Sequence, residues 1–288
     1  MNAFSVLTPS TFAEAVKLLA AGDDMEVIAG GTSLVNMMKQ RLLAPETLVS
    51  LHRVDEKRSS EIIDGALSLG ALMTLRDAET DPLVREHFPV LIETLREVAS
   101  VRIRNMATLG GALAHADPNQ DTPVALMALD ASVVSTGPGG EAVRSLSDFY
   151  VDYYETRLEP GELITNVLIP LPHPRSASSF VKVLPRSKED YGVVTVATHV
   201  TLAEDGRCEA CRIALGCVGM TLLRALDAEG SMTGESIDEA LIETAASLAM
   251  EITDPISDAR GSARYKKKMA GVFVRRALKQ TLERLSVA

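Results

Sequence analysis

Two pairs of adjacent glycines are the sequence features that most directly suggest ligand chemistry. Gly30 and Gly31 lie in EVIAGGTSLVNMMKQRL, between an apolar run and an amphipathic helical pattern. Gly110 and Gly111 lie in ATLGGALAHADPNQDTP, before a loop rich in small and acidic residues. Glycine lets the main chain come within hydrogen-bond reach of a ligand. Each pair is therefore either a plain turn or a loop whose backbone N–H groups cradle an anion.

The residues around the first pair predict a strand, a tight turn and a helix. Val27, Ile28 and Ala29 fit a short buried strand, and Thr32 or Ser33 is a suitable N-cap for the helix. A helix N-terminus at this point favours a phosphate. The spacing matches neither G-x-G-x-x-G nor G-x-x-x-x-G-K-[ST], which excludes the Rossmann and P-loop motifs. The apolar face of the predicted helix comprises Leu34, Met37, Met38 and Leu42.

Three cysteines lie within ten residues, and the first two form a C-x-x-C motif. A structural zinc ion or an iron–sulfur cluster needs four ligands, and Cys208, Cys211 and Cys217 supply three at most. The segment GRCEACRIALGCVG also alternates as a strand, with Cys211, Ile213 and Leu215 on one face. We expect buried strand cysteines in preference to a metal site.

Composition limits the classes of function. The formal net charge of -10 over 288 residues argues against a nucleic-acid surface and against binding to an anionic membrane. The start MNAFSVLTPSTFAEAVKLL has no basic region followed by an apolar one, so no signal peptide is expected. No run approaches the roughly 18 to 20 apolar residues of a membrane span. We expect a cytoplasmic protein.

The basic run ARYKKKMAGVFVRRALKQ begins at Ala263. Its apolar residues follow a helical period, with most of the charges on the other face, which predicts an amphipathic surface helix instead of a nucleic-acid patch. A contact with an acidic partner subunit is the alternative. The predicted apolar face comprises Tyr265, Met269, Val272, Phe273 and Leu278.

The rest of the chain alternates between helix and strand and indicates an α+β protein. A helix with a Ser/Thr cap stops at Gly22, and Asp64-Gly65 between two alternating runs predicts a β-hairpin. The proline-rich connector IPLPHPRSASS, residues 169–179, is the best candidate for a domain boundary. Beyond it, strands joined by a turn at Glu204-Asp205-Gly206 precede two or three helices. This order predicts an antiparallel sheet covered by helices.

Five motifs in one order resemble those of a known family. They are IAGGTSL (28–34), LGALMT (69–74), IRNMATLGGALAHADPNQD (103–121), GELI (161–164) and FVKVLPRSKEDYGVV (180–194). The chain resembles the FAD-binding medium subunits of the molybdenum hydroxylases, the group of carbon monoxide dehydrogenase and xanthine dehydrogenase. The resemblance covers nearly the whole chain.

The resemblance implies a fold and a division of the chain. It implies the two-domain FAD-binding fold of the vanillyl-alcohol-oxidase-like (PCMH-type) class, followed by a C-terminal antiparallel sheet with helices. The implied division is an FAD-binding subdomain at 1–55, a second at 56–175 and a C-terminal α+β domain at 176–288.

The resemblance also implies which residues bind the cofactor. The two glycine loops would wrap the FAD pyrophosphate through backbone N–H groups and through the hydroxyls of Thr32, Ser33 and Thr108, without Arg or Lys. This suits an acidic protein. The predicted FAD-binding residues are Val27, Ile28, Ala29, Gly30, Gly31, Thr32, Ser33, Leu34, Thr108, Leu109, Gly110, Gly111, Ala112, Asp117, Asp121, Ile164, Lys182 and Tyr191.

Five of these residues have implied roles toward the rest of the cofactor. Asp121, with Asp117 as a second candidate, would bond the ribityl or ribose hydroxyls. Ile164 would touch the flavin, and Tyr191 would lie against the isoalloxazine ring and gate access to it. Lys182 would be a cation near the flavin or its phosphates.

Two positions depart from the family pattern. Thr32 stands where relatives often have His or Gln, and Ala112 where many have Asn or Asp. They leave open a non-catalytic scaffold subunit with a degenerate flavin site. A nicotinamide cofactor is the other alternative, but the glycine spacing is wrong for a Rossmann turn. His115 is either a structural loop residue or a residue that supports the flavin-contacting residues from the next layer.

The resemblance implies partners, because the chain has too few cysteines for [2Fe–2S] clusters and no domain for a molybdopterin site. An iron–sulfur small subunit and a molybdenum large subunit with molybdopterin cytosine dinucleotide would carry these groups. A dimer of heterotrimers is implied. Electrons would pass from the iron–sulfur centres through FAD to an external acceptor. No side chain is predicted to be a general acid or base.

Overall fold

The computed structural model describes residues 2–22, 24–184, 186–187 and 189–287. The strands in these ranges form a three-stranded, a five-stranded and a four-stranded sheet, together with a two-stranded ribbon. Helices surround them, so the molecule is of the α+β type predicted from the sequence.

In the three-stranded sheet, the strand that comes last in the sequence lies between the other two and runs parallel to both. The Thr11 side chain accepts a hydrogen bond from the N–H of Glu14 and starts the first helix, which stops before Gly22 as predicted. The second helix ends at Lys39, so Leu42 lies outside it and is 65% exposed; its predicted place on the apolar face is wrong. The elements are β1 (Ser5–Leu7), α1 (Phe12–Ala21), β2 (Met25–Ile28), α2 (Leu34–Lys39) and β3 (Thr47–Ser50).

The five-stranded sheet is antiparallel throughout, in the order β4-β5-β10-β6-β7. Its first hairpin turns at Asp64 and Gly65, whose φ values of 50° and 78° fit the predicted Asp-Gly turn. The strands of this part are β4 (Ser60–Ile63), β5 (Ala66–Gly70), β6 (Ser132–Gly137), β7 (Gly140–Ser145), β8 (Tyr150–Asp152), β9 (Glu155–Thr156) and β10 (Leu163–Pro170).

Short helices pack around this sheet and form the largest apolar core with it. Phe88, Leu91 and Leu95 are at most 1% exposed there. Burying such side chains stabilises the fold by roughly 1.5–3 kcal/mol each. The helices are α3 (Leu75–Thr80), α4 (Pro82–His87), α5 (Pro89–Glu97), α6 (Val101–Arg104), α7 (Leu109–His115), α8 (Thr122–Ala128) and α9 (Leu146–Phe149).

The C-terminal part is the predicted antiparallel sheet followed by three helices. The strand Val194–Leu202 is buried on both faces. Ala197 belongs to the apolar core around the five-stranded sheet, whereas Val196 and Val200 belong to the C-terminal core. This shared strand joins the two parts. The elements are β11 (Ser176–Val183), β12 (Val194–Leu202), β13 (Cys208–Gly216), β14 (Leu223–Arg224), α10 (Leu226–Met232), α11 (Glu239–Glu251) and α12 (Ala263–Val287).

The last helix is amphipathic, and its buried face matches the predicted one only in part: Leu278 is fully buried as predicted, but the other predicted residues are not. Tyr265 is 45% exposed, while Met269 and Phe273 lie at the edge of the C-terminal core. The small alanines allow α12 to pack closely on β11 and β12, which leaves Met269 and Phe273 at the margin of the contact. The fully buried face comprises Ala270, Val274, Ala277, Leu278 and Thr281.

The three cysteines are free thiols in buried positions. Cys208 and Cys211 belong to the C-terminal apolar core, together with Ile213 and Leu215. Burial raises the pKa of Cys208 to about 11 and that of Cys217 to about 12. The sequence-based expectation of buried strand cysteines is therefore met by Cys208 and Cys211, both in β13.

Candidate functional site

A cavity of about 670 Å³ brings both glycine loops together with side chains from distant parts of the chain. Its wall includes residues 26–34 and residues 107, 108, 110–112, 114 and 115. Asp121 at the start of α8, Ile164 in β10 and Lys182 in β11 also line it. Cavities of roughly 300–1,000 Å³ are typical of small-molecule and cofactor sites.

The first glycine loop is locked against the second by backbone contact. A Cβ atom at Gly30 would lie 1.8 Å from the carbonyl oxygen of Met106, so no other residue fits there. Gly31 has a φ of +69°, in the left-handed region that favours glycine. The packing at position 30 therefore requires glycine, and the backbone conformation at position 31 favours it. Both residues lie at the cavity wall.

The same loop has backbone donors to offer. Within the described part of the chain, the N–H groups of Gly30, Gly31, Thr32 and Ser33 donate no hydrogen bond to protein atoms. Ser33 stands at the N-cap position of α2 without a side-chain capping bond, so its hydroxyl is also free. These adjacent donors can bind an anionic group.

The second glycine loop uses most of its N–H groups internally. Leu109 N–H donates to the carbonyl oxygen of Met73 at 3.0 Å and Gly110 N–H to that of Ala71 at 2.8 Å. Gly111 N–H donates to the Thr108 hydroxyl oxygen at 3.1 Å, which caps α7. The Thr108 hydroxyl can still donate a hydrogen bond to a ligand. This loop thus fixes the wall and presents one hydroxyl, whereas the first loop presents backbone N–H groups.

Asp121 is the buried acid of the cavity, 4% exposed. Its Oδ2 accepts a hydrogen bond from Lys182 Nζ at 2.7 Å. Its Oδ1 is buried and has no hydrogen-bond partner. Burial raises the pKa of Asp121 to about 6, although the charge of Lys182 opposes this shift. A buried acceptor without a donor is uncommon in folded proteins and fits a ligand hydroxyl.

Aromatic rings border another part of the cavity. Tyr191 is 48% exposed, and the guanidinium carbon of Arg260 lies 5.6 Å from its ring centroid. The ring of Tyr154 lies 5.0 Å from that of His115, and both residues line the cavity. Burial lowers the pKa of His115, against the opposing charge of Asp117. A planar aromatic ligand can pack against such rings.

Sixteen of the eighteen predicted site residues line the cavity, and Leu109 and Asp117 do not. Leu109 is fully buried in the apolar core around the five-stranded sheet. Asp117 accepts hydrogen bonds at Oδ1 from Asn119 N–H at 2.9 Å and from Asn119 Nδ2 at 2.7 Å. Asp117 also raises the pKa of Tyr191, in addition to the larger effect of burial, so the two side chains interact.

Sequence reasoning missed several residues of the wall. Tyr154 has a left-handed φ of 58° at the end of a two-stranded ribbon, a conformation for which the sequence gives no local signal. The apolar residues come from segments distant in sequence, so only the fold brings them together. The apolar side chains missed include Leu72, Leu75, Val98, Ile103, Leu158 and Leu163.

The residues of the cavity fit a flavin dinucleotide. Free N–H groups at the first loop suit a pyrophosphate, the unpartnered Oδ1 of Asp121 suits a polyol hydroxyl, and Tyr191 suits an aromatic ring. In the described ranges, no group of three or more His, Cys, Asp or Glu residues could hold a metal ion. No helix in those ranges is both long and apolar enough to cross a membrane.

Comparison with known proteins agrees with this geometry. A family model described as the FAD binding domain in molybdopterin dehydrogenase matches residues 2–172. A second model, the CO dehydrogenase flavoprotein C-terminal domain, matches residues 179–281. Fold and site thus define a flavoprotein of the molybdopterin-dependent dehydrogenases. The chain belongs to the family of FAD-binding medium subunits of the molybdenum hydroxylases, which includes carbon monoxide dehydrogenase.

Individual relatives match over almost their full length. The carbon monoxide dehydrogenase medium chain of Afipia carboxidovorans is 35% identical, with 98% of each chain covered. A solved structure of carbon monoxide dehydrogenase from Hydrogenophaga pseudoflava matches with a TM-score of 0.95 at 33% identity, covering 98% of each chain. Quinoline 2-oxidoreductase from Pseudomonas putida matches with a TM-score of 0.91 at 36% identity, covering 99% of this chain and 98% of that one.

Proposed function

We propose that the chain is the electron-transfer flavoprotein subunit of a multi-subunit molybdenum hydroxylase, in which electrons from iron–sulfur centres pass through FAD on this chain to an external acceptor. Bound FAD supplies the redox chemistry, and the protein supplies binding, orientation and electrostatics. The observation that carries the proposal is one cavity that combines free backbone donors at residues 30–33 with the unpartnered Oδ1 of Asp121.

The first glycine loop holds the pyrophosphate in this proposal. Its free N–H groups and the hydroxyls of Thr32, Ser33 and Thr108 are the donors. The cavity's buried lysine is engaged with a carboxylate, so neutral donors bind the phosphates. Adjacent N–H groups suit this task because they concentrate partial positive charge without a counter-ion.

The remaining residues hold the polyol chain and the ring. Asp121 accepts a hydrogen bond from a ribityl or ribose hydroxyl through Oδ1. Ile164 and Tyr191 pack against the flavin, and the exposed position of Tyr191 suits a residue that gates access to the ring. Asp117 interacts with Tyr191, and the ring of His115 packs against that of Tyr154, so both help to position the aromatic side chains.

Partner subunits complete the enzyme. An iron–sulfur small subunit and a molybdenum large subunit with molybdopterin cytosine dinucleotide carry the other redox groups, in a cytoplasmic dimer of heterotrimers. The solved carbon monoxide dehydrogenase from Hydrogenophaga pseudoflava lacks the Mo-pyranopterin moiety of its molybdenum cofactor. That such a cofactor belongs to this relative supports a molybdenum cofactor in this class of complex. On this chain we propose FAD-binding subdomains at 1–55 and 56–175 and a C-terminal domain at 176–288.

The experiment is a measurement of the flavin that the protein carries. Protein purified from its native source should show flavin absorbance and release FAD on acid precipitation, identified by mass spectrometry. It should co-purify with an iron–sulfur chain and a larger molybdenum chain. A chain that carries no flavin and takes up none when FAD is added would be a scaffold, and the proposal would be wrong.

A further inference from the structure

An almost fully buried ion pair lies at the wall of the cavity. The Lys182 side chain is 3% exposed and the Asp121 side chain 5%, and Nζ lies 2.7 Å from Oδ2. The same Nζ donates to the carbonyl oxygen of Glu97, at the end of α5, at 3.0 Å. The ammonium group is therefore held from two directions, by a carboxylate and by the end of a helix.

We infer that Lys182 is a positioning residue, which holds Asp121 ionised and in one orientation so that Oδ1 accepts a hydrogen bond from a hydroxyl of the bound cofactor. The inference rests on the proposed function, and it assigns Lys182 an action through the carboxylate instead of a direct bond to the phosphates.

The geometry supports this role. A carboxylate held by one hydrogen bond can rotate about the bond that joins it to the chain. Here the donor is itself anchored at the Glu97 carbonyl, so the position of Oδ2 is fixed. Oδ1 is then left buried at the cavity without a protein donor. A polar atom in this position costs free energy unless a ligand pairs with it.

The surrounding charges explain why a lysine is needed. Burial raises the pKa of Asp121, the charge of Glu97 adds to this effect and Lys182 opposes it, so that the pKa lies at about 6. Cys217 and Tyr191 also interact with the carboxylate, and burial raises the pKa of each, so both stay neutral at pH 7. Lys182 is the cation in contact with Asp121 and the group that favours its ionised form.

Ionisation matters because a hydrogen bond to a charged acceptor is about twice as strong as one to a neutral acceptor. Cofactor binding through Oδ1 should strengthen as the pH rises through the pKa of Asp121. With Lys182 present this rise is expected near pH 6. Without the lysine, the rise should move to higher pH.

The test is a set of FAD titrations on four forms of the protein between pH 5 and 9. The forms are the natural sequence, Lys182→Met, Asp121→Asn and the double variant, each purified with its accompanying chains and freed of flavin. We expect Lys182→Met to weaken FAD binding at pH 7 by about tenfold. The pH at which affinity rises should move upward. Asp121→Asn should weaken binding and abolish the rise.

The double variant decides how Lys182 acts. If it acts through Asp121, adding Lys182→Met to Asp121→Asn should change FAD affinity by less than about threefold, because the pair is already uncoupled. A loss as large as that in the single variant would show a direct contact with the cofactor and overturn the inference. The double variant has no unpaired buried charge, so it also tests the inference if Lys182→Met alone does not fold.

Failure of the inference differs from failure of the proposed function. If the natural sequence binds no FAD at any pH, the proposed function is wrong. If it binds FAD and Lys182→Met keeps the same affinity and pH profile, only the inference is wrong.

Discussion

The carbonyl oxygen of Met106 occupies the place where a side chain at Gly30 would begin. A Cβ atom there would lie 1.8 Å from that oxygen and 2.6 Å from the carbonyl carbon. Two loops separated by more than seventy residues in sequence are thus in direct backbone contact, and they form adjoining parts of the cavity wall. Glycine is required at position 30 by the packing of the loops themselves.

This contact predicts a large cost for Gly30→Ala. Backbone cannot move aside as a flexible side chain can, so the free energy of unfolding should fall by about 3 kcal/mol or more. Thermal unfolding of the flavin-free protein measures it. Gly139→Ala is the matched control, because a Cβ atom there meets nothing within 4 Å. Equal stability of the two variants would contradict the described contact.

Ser33→Ala should weaken FAD binding without affecting the fold. The Ser33 side chain makes no capping hydrogen bond, so its loss should leave the stability of the flavin-free protein within about 0.5 kcal/mol. Because the Ser33 hydroxyl is proposed to donate to a charged phosphate, its removal should raise the Kd of FAD by roughly tenfold or more. Equilibrium dialysis measures this change.

The control for Ser33→Ala is a serine in the same structural position elsewhere. Ser100 stands at the N-cap position of α6, also without a side-chain capping bond, and it is not part of the cavity wall. Ser100→Ala should leave the affinity for FAD unchanged. If both variants bind FAD as the natural sequence does, the Ser33 hydroxyl is not a phosphate donor.

His199 predicts a pH dependence of stability. It is 5% exposed in β12, its Nδ1 lies 2.8 Å from the Ser178 hydroxyl, and burial lowers its pKa to about 4. The charge of Arg212 contributes to this lowered pKa, and the charge of Asp130 opposes it. The unfolded chain therefore binds more protons between pH 4 and 6.5, and stability from this residue is present above pH 6.5 and lost toward pH 4.

The expected loss over that range is on the order of 3 kcal/mol. Unfolding free energies of the natural sequence and of His199→Gln, measured from pH 4 to 7, test it. The variant should show a flatter profile, whereas His173→Gln, at an exposed position, should follow the natural sequence. A steep profile that persists in His199→Gln would assign the effect to other groups.

The sequence predicted those features that depend on local chemistry. The helix after Thr11 follows from its cap, and the hairpin at Asp64-Gly65 follows from its turn residues. The two glycine loops were identified because glycine pairs beside threonine and serine are visible in the sequence. Their meeting in one cavity came from the family resemblance, since nothing local to either loop specifies the other.

Long-range packing explains what the sequence did not predict. The buried face of α12 depends on how closely its alanines approach the sheet, and hydrophobic periodicity favoured the bulkier Met269 and Phe273. The pairing of Lys182 with Asp121 joins a strand to the start of a distant helix. N–H groups of the second glycine loop donate to the carbonyl oxygens of Ala71 and Met73, which belong to another segment.

The Lys182–Asp121 pair joins the two segments that the family models separate, since Asp121 falls within residues 2–172 and Lys182 within 179–281. The proposed cofactor-binding wall is consequently not contained in the first segment. An exchange of C-terminal segments between relatives would remove the partner of a buried acid unless the donor sequence carried a base at the same place. Chimaeric medium subunits built by joining such halves should therefore be screened for this position before any other.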